Sequence, residues 1–261
     1  GAYDSAGRPS IGAFFRKLGS SQRYSAVTVD CAPGIRAQQI VTGGNAEITP
    51  EWFPDEQAPK LALTIGSNPV VSHAQLGMML SDPVRWIRDY QAIGGELWVI
   101  DPRRTETARF ADRHMAIRPG TDAHLLAYLC RELLEDGADW SEVDRHVNPA
   151  DIASLRAGLA PFTLDFVVAR TGLGEAEVAD LLAAIRRCGK LVITIGTGLN
   201  FTPDALVTQL LRWVILVLTG SVDREGGMWV NVGWYDQLEK REQWVSPAAA
   251  SVPKAPRSRP D

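Results

Sequence analysis

Leu61-Ala62-Leu63-Thr64-Ile65-Gly66-Ser67-Asn68-Pro69 is the stretch that decides the fold class. Its first five residues lack the polar alternation of a half-solvated strand and run straight into glycine and turn formers. An unbroken run of this kind is what a strand covered on both faces requires. Two further stretches share the pattern: Leu97-Trp98-Val99-Ile100 runs into Asp101, and Leu191-Val192-Ile193-Thr194-Ile195 into Gly196. Helical periodicity lies between them. Residues 122–136 carry Leu125, Leu126, Leu129, Leu133 and Leu134 on one face and stop at Gly137. Residues 175–188 carry Val178, Leu181, Leu182 and Ile185, with Gly189 as C-cap. A third helix is predicted to begin at Thr202-Pro203-Asp204, with a hydroxyl N-cap, proline at N1 and an acid in the first turn, and to run to about Leu218. Apolar residues nearly surround it, which predicts a buried helix. Strands alternating with helices predict an α/β fold: a parallel, Rossmann-like sheet with flanking helices.

Working outward, residues 1–155 are expected to form one Rossmann-like half, residues 156–245 a second α/β part completing the same groove, and residues 246–261, rich in Pro, Ala, Ser and Arg, a disordered tail. Residues 42–60 read as a long loop. The strand ends Thr64-Ile65-Gly66-Ser67-Asn68 and Thr194-Ile195-Gly196-Thr197-Gly198 echo one another. They are either two turns facing one groove or two strands that end alike.

Composition narrows the function. The 261 residues are 45% hydrophobic and 22% charged, with a net charge of −4. That apolar fraction excludes disorder as the main state, and the mild acidity argues against a nucleic-acid partner. The longest wholly apolar run, residues 213–218, is far too short to cross a bilayer, so no membrane insertion is expected. Cys31, Cys130 and Cys188 are scattered singly, which is neither a disulfide framework nor a self-contained zinc or iron–sulfur site. The expected compartment is the cytoplasm, unless a leader precedes this segment. The first residue is glycine, which points to a segment of a longer protein.

Three turns can carry chemistry. Gly66-Ser67-Asn68-Pro69 offers close backbone approach and donors for phosphate, although the same residues are ordinary turn formers. Asp101-Pro102-Arg103-Arg104 offers a carboxylate for a ribose hydroxyl or a guanine edge and a guanidinium for phosphate; helix capping explains it equally. Arg118-Pro119-Gly120-Thr121-Asp122 reads first as the cap of the leucine-rich helix. Each follows a strand-like run, where open α/β sheets bind ligands. A nicotinamide-binding Rossmann domain fits poorly: no GxGxxG follows the first strand, and Asp101 stands 35 positions after Gly66. His73 has either a ligand or a capping role, and His114 reads as structural.

The run from Ile65 to His73, the run Val99-Ile-Asp-Pro-Arg-Arg-Thr-Glu-Thr-Ala108, the pair Ala111-Asp112 and the run Ile117-Arg-Pro-Gly-Thr-Asp122 together resemble the molybdopterin oxidoreductases. That family includes formate dehydrogenases, nitrate reductases and dimethyl sulfoxide reductase. The likeness continues through Gly196-Thr-Gly-Leu-Asn200 and Leu218-Thr-Gly-Ser-Val-Asp-Arg-Glu-Gly-Gly227, over about residues 20–233. It implies the central part of a large molybdenum or tungsten enzyme, holding one of two molybdopterin guanine dinucleotides. Gly66, Ser67, Asn68 and Ser72 would then face the pyrophosphate, Asp101 and Arg103 the nucleotide, Gly120, Thr121 and Asp122 the guanine, and Gly198 and Asn200 the pterin. Phe201 stands where some relatives have glutamine.

The same resemblance implies a protein ligand to the metal several tens of residues before the Gly66 turn. Cys31, 35 residues before it, is the catalytic and metal-ligand candidate, and Asp30 is its rival. A [4Fe–4S] cluster would belong to a preceding N-terminal segment. Expected partners are a small-molecule substrate, the remaining segments of the enzyme and an electron-transfer subunit. The fragment by itself is expected to fold and to be inactive. The alternative is a stand-alone guanine-nucleotide or cofactor-binding module without redox activity.

Overall fold

The computed structural model describes residues 7–20, 30–42, 57–73 and 81–228. The predicted tail at 246–261 and most of the 42–60 loop lie outside those residues. In chain order the elements are α1 (Gly7–Leu18), α2 (Ala32–Thr42), β1 (Leu61–Ile65), α3 (Pro69–Ser72), α4 (Pro83–Ala92), β2 (Glu96–Ile100), a 3-10 turn (Thr107–Arg109), β3 (Arg113–Met115), α5 (Asp122–Glu135), α6 (Trp140–His146), α7 (Pro149–Leu159), α8 (Leu164–Thr171), α9 (Glu175–Cys188), β4 (Val192–Ile195), α10 (Thr197–Asn200) and α11 (Ala205–Leu218).

The four strands form one sheet in the order β3-β2-β1-β4, and every pairing is parallel. Leu63 sits beside Trp98 on one side and Ile193 on the other, and Ile65 beside Ile100 and Ile195. All five residues of β1 are buried, as the unbroken apolar run predicts for a central strand between helical layers. Strand β4 comes from the second predicted part of the chain yet hydrogen-bonds to β1 of the first, so both parts contribute to a single sheet. The sheet grows from β1 through β2 to β3 on one side and resumes at β4 on the other. The order therefore reverses between β1 and β4, the position where open α/β sheets leave a crevice at their carboxyl ends.

Helix α11 packs on α5, α2 and β4. Its Trp213, Ile215, Leu216 and Leu218 are buried, and each such side chain contributes about 2 kcal/mol by leaving water. The predicted buried helix is present, but it starts later than its sequence signals say. Thr202 does not cap it: its hydroxyl donates to the Leu199 carbonyl (3.0 Å) and closes α10. Residues 202–204 become a turn, and Asp204 occupies the N-cap position without a side-chain cap bond. Gly189 does terminate α9, at φ 69°. Among the described residues no single helix is long and apolar enough to cross a membrane.

Candidate functional site

The carboxyl edge of the sheet is built first from glycine. Gly66 N–H extends the β1–β2 ladder to the Ile100 carbonyl (2.9 Å), and Gly196 N–H extends β4 to the Ile65 carbonyl (2.9 Å). Gly66 then turns at φ 57°, and its carbonyl accepts from Gly198 N–H at 3.2 Å. A Cβ on Gly196 would stand 2.3 Å from the Gly66 oxygen, and one on Gly66 would stand 2.4 Å from Leu199 Cδ1. The echoing strand ends are thus two turns in backbone contact at the switch point. Ser67 is buried against Gly196, while Ser72, Thr197 and Gly198 are exposed at the mouth. His73 caps α3 in the left-handed region, at φ 56°.

Asn68 commits its amide to the neighbouring loop. Its Nδ2 donates to Glu106 Oε2 (2.7 Å), and its Oδ1 accepts from Thr107 N–H (3.1 Å) and Thr107 Oγ1 (2.8 Å). Val70 N–H in turn donates to Thr107 Oγ1 (3.0 Å). Arg103 pairs with the same Glu106 carboxylate at 3.3 Å. The donors from Asn68 and Arg103 hold Glu106 down to about 2, ionised throughout the physiological range. Glu106 and Thr107 escape a reading of sequence, because nothing local in Thr-Glu-Thr announces a partner 38 positions away.

Asp101 accepts from Arg103 N–H (2.9 Å), and its carbonyl meets His114 Nε2 at 2.9 Å, so His114 serves the β2–β3 edge. Thr105 Oγ1 accepts from Ala108 N–H (3.1 Å) at the start of the 3-10 turn. Thr121 holds the N-cap position of α5 without capping it, because its hydroxyl donates back to the Arg118 carbonyl (2.7 Å). Gly120 turns at φ 77° in open space. Asp122 follows in the first turn of α5, only 7% exposed. Burial pushes its carboxyl up to about 6 against the pull of its own backbone N–H, and the nearby Asp101 charge adds to the rise. No side-chain donor reaches it among the described residues.

Cys31 occupies the turn ahead of α2, half-buried, with its thiol pushed up to about 11 by burial and by the adjoining Asp30 carboxylate. Asp30 Oδ1 is itself buried without a hydrogen-bond partner among the described residues. The Asp30 carbonyl accepts from Asn200 Nδ2 (2.7 Å), and Asn200 Oδ1 accepts from Gln209 Nε2 (2.9 Å). The structure therefore joins the sequence candidates in four groups: Gly66 with Gly198, Asn68 with Arg103 through Glu106, Asp101 with Asp122, and Asp30–Cys31 with Asn200. A cavity of about 790 Å3, lined in part by Lys60, Cys188 and Lys190, opens at the opposite end of the sheet and contains none of them.

Comparison with known proteins agrees with this architecture. The molybdopterin oxidoreductase family model matches residues 15–254. The chain is 26% identical over 182 residues to a nitrate reductase of Klebsiella oxytoca, covering 67% of this chain and 19% of that protein. It is 30% identical over 195 residues to the assimilatory nitrate reductase of Haloferax mediterranei, covering 73% and 25%. It thus spans a quarter or less of those relatives. Acetylene hydratase from Pelobacter acetylenicus shares the fold, with a TM-score of 0.61 at 20% identity over 81% of this chain and 27% of that one. With the family model matching most of its length, the chain belongs to the molybdopterin oxidoreductase family.

Proposed function

We propose that this chain is the central cofactor-binding part of a molybdenum or tungsten oxidoreductase carrying two molybdopterin guanine dinucleotides, and that it lines the groove for one of them. The observation that carries this reading is Asp122, a buried carboxylate at the carboxyl edge of the sheet that no side-chain donor reaches among the described residues. The N1–H and N2–H2 edge of guanine brings two donors to such a group, and adenine does not.

The remaining residues suit the rest of a dinucleotide. Gly66, Ser67 and Ser72 would meet the pyrophosphate, with Asn68 holding their loop to the Glu106 loop. Asp101 and Arg103 would lie along the nucleotide, Gly120 and Thr121 beside the guanine, and Gly198 and Asn200 at the pterin. Cys31 would be the protein ligand to the metal, with Asp30 as the alternative. Asp30 Oδ1, buried without a partner among the described residues, and the half-buried thiol form a donor set that suits a cation. The bound cofactor supplies two-electron redox chemistry on a small substrate; this chain's residues bind it, orient it and keep its guanine end dry. Turnover would need further segments of the enzyme and an electron-transfer partner, so the 261-residue chain alone binds and does not catalyse.

Calorimetry with GDP and ADP tests the assignment. GDP should bind and ADP much more weakly, and Asp122→Ala should erase the difference, a loss of about 1–3 kcal/mol. Equal affinities for the two nucleotides would reject Asp122 as the guanine acceptor.

A further inference from the structure

We propose that Gln209 is a positioning residue which, through Asn200, fixes the turn that carries Asp30 and Cys31. Gln209 is 2% exposed on α11, where a leucine or methionine would fill the same space. Its Nε2 donates to Asn200 Oδ1 (2.9 Å), and Asn200 Nδ2 donates to the Asp30 carbonyl (2.7 Å), 170 positions away in sequence. An amide is a donor at one end and an acceptor at the other, so this chain has a direction. With the Gln209 donor on its oxygen, Asn200 can offer only its nitrogen to Asp30. A flipped Asn200 would set donor against donor at Gln209 and acceptor against acceptor at Asp30.

The recipient of the chain matters. The Asp30 carbonyl lies in the planar peptide that joins Asp30 to Cys31, so a bond to that oxygen sets the plane from which the Cys31 side chain departs. Gly34 of α2 leaves the room: a Cβ there would approach Gln209 Nε2 to 3.3 Å. Gln209 Oε1 meanwhile has no partner among the described residues, so only the donor end of this buried amide is in use. The arrangement deepens the reading of Cys31 as metal ligand, yet it stands or falls on the protein alone.

The three cysteines supply the test. Cys31 is half-buried at the turn, Cys188 is half-buried at the opposite end of the sheet, and Cys130 is fully buried. Iodoacetamide labelling of the 261-residue chain at one pH, read by mass spectrometry for each cysteine, separates a local effect from a general one. Gln209→Met removes the donor to Asn200 without adding a charge and should raise the Cys31 rate about tenfold, leaving Cys188 and Cys130 unchanged. Asn200→Leu removes the donor to Asp30 itself, again without a charge, and should raise it at least as much; it decides the matter if Gln209→Met does not fold. An unchanged Cys31 rate, or a parallel rise at all three cysteines, would overturn the proposal. Neither result would touch the metal assignment, because no cofactor takes part.

Discussion

Asn68, three residues past β1, and Glu106, in the loop after β2, meet in a 2.7 Å side-chain hydrogen bond across 38 positions of sequence. The other end of the same amide takes two donors from Thr107. One side chain thus ties together the loops that follow β1 and β2, and Glu106, also bound by Arg103, is its charged anchor.

Breaking that clamp should cost stability. Asn68→Ala removes three hydrogen bonds and leaves Glu106 and Thr107 with water as their alternative, a loss of about 2 kcal/mol in urea unfolding. Asn68→Asp should be worse at neutral pH, since it sets a second carboxylate against Glu106, and part of that excess should return on acidification. A double-mutant cycle with Glu106→Gln isolates the coupling; additive effects would show that the two loops are held by other contacts.

Glycine substitutions should rank by what the new Cβ meets. Gly196→Ala drives a methyl to 2.3 Å from the Gly66 carbonyl, backbone that cannot swing aside, and should cost about 3 kcal/mol or prevent folding. Gly120→Ala faces open space and pays only for its left-handed φ of 77°, about 1 kcal/mol. Thermal unfolding of the two variants measures the order.

Asp122 should make stability fall as pH rises. Its carboxyl goes from an ordinary 3.8 to about 6 in the folded chain, so the folded state holds that proton more tightly than the unfolded one. The contribution is fully present below pH 3.8 and lost as pH climbs through about 6. Asp122→Asn removes this titration and should be the more stable protein at pH 7, by up to about 3 kcal/mol, with the two curves converging near pH 4. GDP binding should weaken below about pH 6, because the guanine donors require the ionised carboxylate. Urea midpoints and calorimetry between pH 4 and 7 check both trends.

Cys31→Ala in the full-length enzyme should leave the fold and the dinucleotide content intact while abolishing turnover. The side chain is half-buried on a turn rather than in the core, so its loss removes a donor atom and little packing. Elemental analysis, nucleotide extraction and a dye-linked assay on one preparation separate these outcomes. Full activity would move the ligand role to Asp30.

Much of the edge of this molecule is legible in the chain itself. Strand β1 announces itself by five residues without alternation, and Gly189 ends α9 by the local rule that a helix stops where a left-handed residue is cheap. Other local signals mislead because a side chain has more than one partner to choose from. Thr202 looks like a cap but bonds backward to Leu199, and Thr121 holds a cap position while bonding to Arg118. Both hydroxyls find a carbonyl three residues behind them, which competes directly with the helix N–H groups ahead.

The sequence by itself determined the alternation of buried strands and helices, the parallel sheet, and the glycine-marked turns at the strand ends. Those follow from periodicity and backbone preference, which act over a few residues. Tertiary structure alone decided that β4 returns to pair with β1, so that Gly66 and Gly196 touch. It also decided that Asn68 spends its amide on Glu106 and Thr107, and that Gln209 reaches Asp30 through Asn200. Hydrogen-bond partners 38 or 170 positions apart leave no periodic trace in the chain. They exist only once strand order and helix packing have brought the two segments within 3 Å, the range over which a hydrogen bond acts.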